Sequence, residues 1–293
     1  MTHIDRDEAE IEASRAPLMD HLIELRTRLF WCVAAFLAAF IGCFTVAGDI
    51  QKILIHPFQA AVALHAASSG GHGGNPFDLI AVTAWLKPIP EAGQETVRLI
   101  ATAPLEQLFT KMKIAGFGAV VVAFPVLAWQ LYRFVAPGLY RNEKGAFLPF
   151  LFASPVLFCL GGALVYFVML PFVMWFSLGQ QIVGDGVAVQ LLPKISEYLN
   201  LVTALLLAFG LCFQLPVVMT LLGMAGIISS RVMAEGRRYA IVGVAVVAAV
   251  VTPPDPISQI MLAVPLVLLY EVSIWCVRLI ELRRKKDEDA LAA

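Results

Sequence analysis

The sequence predicts an all-α polytopic membrane protein with six transmembrane helices. Hydrophobic residues make up 59% of the 293 residues, charged residues only 15%, and long uncharged stretches recur along the chain. A soluble domain normally carries about 25% charged residues, so this composition excludes a water-soluble fold. The net charge of -1 also argues against nucleic acid as a partner, because phosphate binding requires a basic excess.

Four uncharged stretches are each long enough to form a span. About 20 apolar residues, at a rise of 1.5 Å per residue, cross a hydrocarbon layer of about 30 Å. The stretches are 29–47, 114–132, 145–184 and 198–230. The last two exceed one crossing, so we expect their ends to tilt or to project from the membrane.

A fifth apolar stretch, 239–270, is interrupted by TPPDP at 252–256. Three prolines within five residues cannot remain helical, so this stretch is either one kinked span or two short ones. The positive-inside rule favours two, because six spans place most of the Lys and Arg residues on one side together with both termini. The expected organisation is a cytoplasmic segment 1–28, a membrane domain 29–277 with a long outer loop 48–113 and short last two helices, and a cytoplasmic tail 278–293.

The ionisable chemistry of an enzyme or a proton-coupled transporter is scarce in the predicted spans. All five histidines precede the second span, and no metalloprotease, serine-hydrolase or phosphate-loop motif is present. The cysteines have no metal-ligand spacing. We therefore predict no catalysis, no cofactor and no metal. Gln214 and Glu271 are the membrane-embedded polar groups of interest, and an interhelical hydrogen bond is the simplest role for each.

Two segments on the predicted cytoplasmic side contain candidate binding residues. HLIELRTRL at 21–29 forms an amphipathic helix in which Glu24 and Arg28 are an i, i+4 pair. FVAPGLYRNE at 134–143 follows the second span and contains a Pro-Gly turn. Taken alone, the first indicates a surface ion pair and the second a solvated connector.

Together with FQLP at 213–216 and VTPPDPISQ at 251–259, these segments resemble the TatC family, the multispanning receptor subunit of the twin-arginine translocation system. The resemblance extends over nearly the whole chain. Two features depart from it. Gln214 stands where the family often has glutamate, and the first loop is longer than in short-loop members.

The resemblance implies a receptor for twin-arginine signal peptides. It implies the core subunit of a translocase, in the bacterial cytoplasmic (inner) membrane, that exports folded proteins with the proton motive force. TatA- and TatB-type single-span subunits are the implied partners, and self-association in a larger receptor complex is expected. The implied signal-peptide residues are Glu24, Glu143, Leu25, Arg26, Phe134 and Tyr140. The implied partner-helix contacts are Thr252 and Gln259, and the implied outer-loop positions are Pro104, Glu106 and Asp255.

The residues alone leave a different class open, a six-span secondary transporter or channel for a small solute. Substrate uptake into vesicles containing this chain alone would favour that alternative. Binding of peptides bearing two arginines, without uptake, would favour the receptor.

Overall fold

The computed structural model describes residues 3–69, 76–89, 104–135, 147–179, 182–184, 187–189, 194–224, 226–251 and 256–292. These residues are mainly helical, as the composition predicts. The helices are α1 (His3–Thr45), α2 (Ala47–Ser69), α3 (Pro76–Thr83), α4 (Glu106–Val135), α5 (Phe147–Leu164), α6 (Leu170–Gly179), α7 (Ile195–Cys212), α8 (Leu215–Met224), α9 (Ser230–Glu235), α10 (Arg237–Val251) and α11 (Pro256–Ala292).

One small element departs from the all-α prediction. Strand β1 (Ile182–Gly184) pairs antiparallel with β2 (Val187–Val189), between α6 and α7. The end of the uncharged stretch 145–184 therefore belongs to a short ladder rather than to a helix. With only three residues in each strand, the ladder leaves the architecture all-helical.

Among the described residues, five helical segments are long and apolar enough to cross a membrane. They are Leu22–Thr45, Glu106–Phe134, Phe152–Leu178, Ile195–Met224 and Gln259–Arg283. Helix α10 occupies the position of the predicted fifth span, but its 15 residues rise only about 22 Å.

The expectation that the last two helices are both short is wrong for the second of them. Helix α11 has 37 residues and continues through Glu271, where the sequence seemed to end the apolar run. Glutamate is a good helix former, and Arg237 donates two hydrogen bonds to the Glu271 carboxylate, so this charge is compensated within the fold.

The bundle core is built mainly from α2, the segment 165–178 and α7, and Val165, Leu170, Val202, Leu205 and Phe209 are all fully buried in it.

The crossing of α5 and α7 is so close that it requires glycine. A Cβ atom added to Gly161 would lie 2.8 Å from the Phe209 carbonyl oxygen, and one added to Gly210 would lie 2.6 Å from the Phe158 ring.

A five-residue π-helical turn, Val165–Met169, connects α5 to α6. In this turn the Leu170 N–H donates to the Val165 carbonyl. Pro171 follows directly and has no N–H to offer, so the regular hydrogen-bond ladder is already incomplete at this point. The turn carries Tyr166, which contacts the long first loop.

The described part of that first loop is largely helical, and its helices α2 and α3 form a cap against α4, α6 and α7. Pro57 within α2 cannot donate to the Ile53 carbonyl, and its ring crowds the preceding turn. The Tyr166 hydroxyl donates to the Ile53 carbonyl at 2.7 Å, and the Tyr198 hydroxyl donates to the Leu54 carbonyl at 2.9 Å. Two bundle tyrosines thus bind the backbone of the cap beside its proline.

Candidate functional site

A pocket of about 340 Å³ lies between α1 and α4, at the end of the bundle where α4 finishes. Helix α1 packs along α4 and brings HLIELRTRL beside the last turns of that helix. The residues that line the pocket are Glu24, Thr27, Arg28, Trp31, Gln130 and Arg133. The pocket combines one carboxylate with two guanidinium groups, an amide and an indole, which suits a polar, charged ligand better than an apolar one.

Within the pocket, Glu24 and Arg28 form the i, i+4 pair that their spacing predicts. Arg28 Nε donates to Glu24 Oε1 at 3.0 Å, and Arg28 Nη2 donates to the same oxygen. The side chain of Arg28 is 16% exposed and that of Glu24 is 34% exposed. The Glu24 carboxylate therefore lies where a planar guanidinium can reach it and remains partly open to a ligand.

The other residues implied for signal-peptide binding fall into two groups. Leu25 and Arg26 are exposed on α1, and Phe134 is half-buried in the last turn of α4. Tyr140 and Glu143 lie outside the described residues. The structure therefore brings Glu24 to the end of α4, directly before the segment that contains Tyr140 and Glu143.

Gln214 lies inside the bundle, in the turn between α7 and α8, where its side chain is buried. Its Nε2 donates to the Ser154 carbonyl at 3.0 Å and to the Gly210 carbonyl at 3.5 Å, and its Oε1 accepts from the Ser154 hydroxyl. Tyr132 in turn donates to the Ser154 hydroxyl at 3.1 Å. An amide suits this position because it both donates and accepts, and here it joins α4, α5 and α7 through neutral groups.

Glu271 forms the interhelical bond that its place in an apolar run suggested. Its carboxylate oxygens accept from Arg237 Nε at 2.7 Å and from Arg237 Nη2 at 2.9 Å. The partner was not predictable from spacing, because Arg237 is 34 residues away and begins a different helix.

The residues implied for partner contacts and outer loops are only partly described. Gln259 is half-buried near the start of α11, and its Nε2 donates to the Ala245 carbonyl of α10 at 3.3 Å. Pro104 is exposed in the turn before α4, and Glu106 begins α4 and accepts from the Ser196 hydroxyl at 2.6 Å. Thr252 and Asp255 lie outside the described residues.

The sequence singled out some of these residues and missed others. Gln130 was visible as an amide within a span, although its place beside Glu24 was not. Nothing in the sequence marked Ser154, a hydroxyl in an uncharged run, as the centre of a buried network. Arg237 could have been singled out from the sequence, since a basic residue that precedes a short apolar helix is expected near a membrane interface.

Comparisons with known proteins agree with this arrangement of helices and motifs. The family model described as Sec-independent protein translocase protein (TatC) matches residues 20–265. The TatC of Magnetococcus marinus is 39% identical over 276 residues, which cover 94% of this chain and 89% of that protein. The TatC of Desulforapulum autotrophicum is 34% identical over 281 residues, which cover 96% of this chain and 91% of that protein.

A solved structure shares the fold as well as the sequence. The crystal structure of a twin-arginine translocase receptor, TatC, matches with a TM-score of 0.67 at 33% identity, over 88% of this chain and 98% of that one. The helical fold is therefore common to both. Matched over most of its length in sequence and in fold, this chain belongs to the TatC family, whose members are protein-translocase components and not enzymes.

Proposed function

We propose that this chain is the receptor for twin-arginine signal peptides and the core subunit of a translocase that exports folded proteins with the proton motive force. The observation that carries this proposal is the pocket between α1 and α4, in which Glu24 already accepts hydrogen bonds from a guanidinium. In the proposed complex, a signal-peptide arginine takes the place of Arg28 at this carboxylate.

Glu24 and Glu143 together hold the two arginines of the signal peptide. Each carboxylate can accept a bidentate pair of hydrogen bonds from a planar guanidinium, which the single ammonium of lysine cannot reproduce. A hydrogen bond to a charged group is worth about 1.5 to 3 kcal/mol, which corresponds to roughly a ten- to hundredfold change in affinity. Leu25, Arg26, Phe134 and Tyr140 complete the same surface.

The test measures peptide binding to the purified full-length chain. Glu24→Ala and Glu143→Ala should each weaken binding of a twin-arginine peptide about tenfold or more, but scarcely alter binding of a twin-lysine peptide. The matched control is Glu235→Ala, because Glu235 accepts from Arg231 at 3.0 Å in an i, i+4 pair of the same type outside the pocket. If both pocket substitutions weakened the two peptides by the same factor, the guanidinium site would be refuted.

TatA- and TatB-type subunits dock at the α10–α11 face near Thr252 and Gln259. The Gln259 amide supports this face, because a polar side chain of a partner helix needs a donor or an acceptor within lipid. Replacing Gln259 by Leu should reduce crosslinking of a TatB-type subunit at this face. Equal crosslinking would mean that Gln259 serves only the Ala245 carbonyl.

The proposed topology has six spans, with both termini in the cytoplasm of a bacterium and the chain in its inner membrane. Segments 1–28 and 278–293 are then cytoplasmic, and 29–277 is the membrane domain. The distribution of basic residues supports this arrangement, and it requires the short helix α10 to cross. Labelling of single cysteines from each side of the membrane, in a chain without its native cysteines, tests it. Access to both ends of α10 from one side would refute the six-span count.

A further inference from the structure

We propose that the ion pair between Arg237 and Glu271 fixes the depth of α10 against α11 and thereby positions the face that takes the partner helix. This inference rests on the proposed docking of single-span subunits near Gln259. Arg237 and Glu271 are then positioning residues, because they act on the partner through the placement of α10.

The geometry of the pair is that of a specific connection between two helices. Arg237 is the first residue of α10, and its Nε and Nη2 each donate to a different oxygen of Glu271, at 2.7 and 2.9 Å. The side chains are 48% and 34% exposed, so the pair is neither fully solvated nor fully buried. A bidentate arginine–carboxylate pair fixes direction as well as distance.

Beyond Arg237, α10 packs on α11, and Val244 and Ala248 are the described side chains of α10 that join the bundle core. Among its described side chains Ala248 is buried, whereas Ile241, Val242, Val246 and Val250 are all at least half exposed. These apolar side chains would contact lipid equally well at another depth. With 15 residues, α10 is also too short for its two ends to fix its position at both membrane interfaces.

Helix α11 forms a firm base for the pair. The Tyr270 hydroxyl donates to the Met233 carbonyl at 2.9 Å, and the Ser230 N–H donates to Glu281 at 2.8 Å. Both bonds hold α9 on α11, directly before Arg237 begins α10. The chain before Arg237 is therefore attached to α11 through α9, and the ion pair extends that attachment to the first residue of α10.

Further along α10, the depth of the helix decides which backbone group meets Gln259. Its amide donates to the Ala245 carbonyl at 3.3 Å. A shift of α10 by one helical turn, about 5.4 Å, would remove this carbonyl and change the face presented beside Gln259. The pair at Arg237 thus controls the docking face from the opposite end of the helix.

The experiment uses the full chain without its native cysteines and reads two quantities. The first is the rate at which a membrane-impermeant maleimide labels Val250→Cys at the far end of α10. The second is the yield of crosslinking to a co-expressed TatB-type subunit near Gln259. Glu271→Gln should shift the labelling rate and lower the crosslinking yield by about fivefold, the scale of a partly exposed bidentate pair. The charge-swapped double variant Arg237→Glu with Glu271→Arg should restore both quantities.

Two further variants keep the outcome decisive. Arg231→Gln, the control, breaks a separate ion pair in α9 whose members are 87% and 67% exposed, and should change neither quantity. Arg237→Lys keeps the charge but loses the bidentate contact, and should shift the labelling rate even if Glu271→Gln does not accumulate. Unchanged labelling in Arg237→Lys, or no recovery in the double variant, would overturn the proposal. If the variants shift the labelling rate as expected but the parent chain does not crosslink to the TatB-type subunit, only the proposed docking face would be refuted.

Discussion

The crossing of α5 and α7 allows a sharp comparison between two adjacent glycines. A Cβ atom on Gly161 would lie 2.8 Å from the Phe209 carbonyl oxygen and 2.9 Å from the Phe213 ring. A Cβ atom on Gly162 would meet only Leu206, at 3.9 Å, which is an ordinary contact. Both positions are helical, so an alanine gains the same intrinsic propensity at each, about 0.8 to 1 kcal/mol.

The two substitutions therefore differ by the overpacking energy alone. Forcing a methyl group into a filled site costs about 1 to 3 kcal/mol, because the backbone carbonyl of Phe209 cannot rotate away as a flexible side chain can. Gly161→Ala should thus be destabilised by up to about 2 kcal/mol, and Gly162→Ala should be neutral or slightly stabilised. At roughly 2 to 4 °C per kcal/mol, the two Tm values should differ by several degrees.

Thermal unfolding of the purified variants in detergent, followed by intrinsic fluorescence, measures this difference. Size-exclusion chromatography before heating shows that each variant begins folded and monodisperse. Equal Tm values for the two variants, or a higher Tm for Gly161→Ala, would refute the claim that close approach requires glycine at this crossing.

Four further predictions follow from other parts of the structure. Tyr198→Phe removes the hydroxyl that donates to the Leu54 carbonyl, so amide hydrogen exchange in α2 should rise while exchange in α8 stays constant. Replacing Gln214 by Leu leaves the Ser154 hydroxyl and carbonyl without the amide that bonds them, which costs about 1 to 3 kcal/mol and should lower Tm. An unchanged Tm would mean that water replaces the amide. Burial lowers the pKa of His56, so the folded state favours its neutral form. The contribution of His56 to stability is therefore fully present above about pH 6.5 and is lost as the pH falls through the lowered pKa. Amide hydrogen exchange in α2, measured against pH, would reveal this loss. Inserting about five leucines beside Ala248 lengthens α10 to an ordinary span. If the short helix thins the bilayer for export, this insertion should lower export while assembly persists. Normal export would contradict that role.

The sequence allowed prediction of those features that depend on neighbours along the chain. The TPPDP segment predicted a break, and α10 ends at Val251 while α11 begins at Pro256. The spacing of Glu24 and Arg28 predicted their ion pair, because four residues bring side chains onto one helix face. The apolar composition likewise predicted long apolar helices, and the described residues contain five that are long and apolar enough to cross a membrane.

Features that depend on contacts between distant parts of the chain could not be predicted from the sequence. The sequence presents Glu271 as an isolated carboxylate, and only the packing of α10 on α11 brings Arg237 to it. Gln214 bonds Ser154, which lies 60 residues earlier, and nothing in an uncharged run distinguishes that serine from its neighbours. The helical cap was missed for a related reason, since α2 is stabilised largely by its packing against α4 and α6.

The proline of α2 imposes an order on biosynthesis. Pro57 leaves the Ile53 carbonyl without a helical donor, and Tyr166, whose hydroxyl donates to this carbonyl, lies 113 residues later. Tyr198, whose hydroxyl donates to the Leu54 carbonyl, lies 144 residues later. Until the segment bearing Tyr166 has been made, the Ile53 carbonyl has no donor from its own helix and must be solvated by water. Closure of the cap is therefore a late step in maturation, and a chain truncated before residue 198 would reach the membrane with this helix still unattached at Leu54.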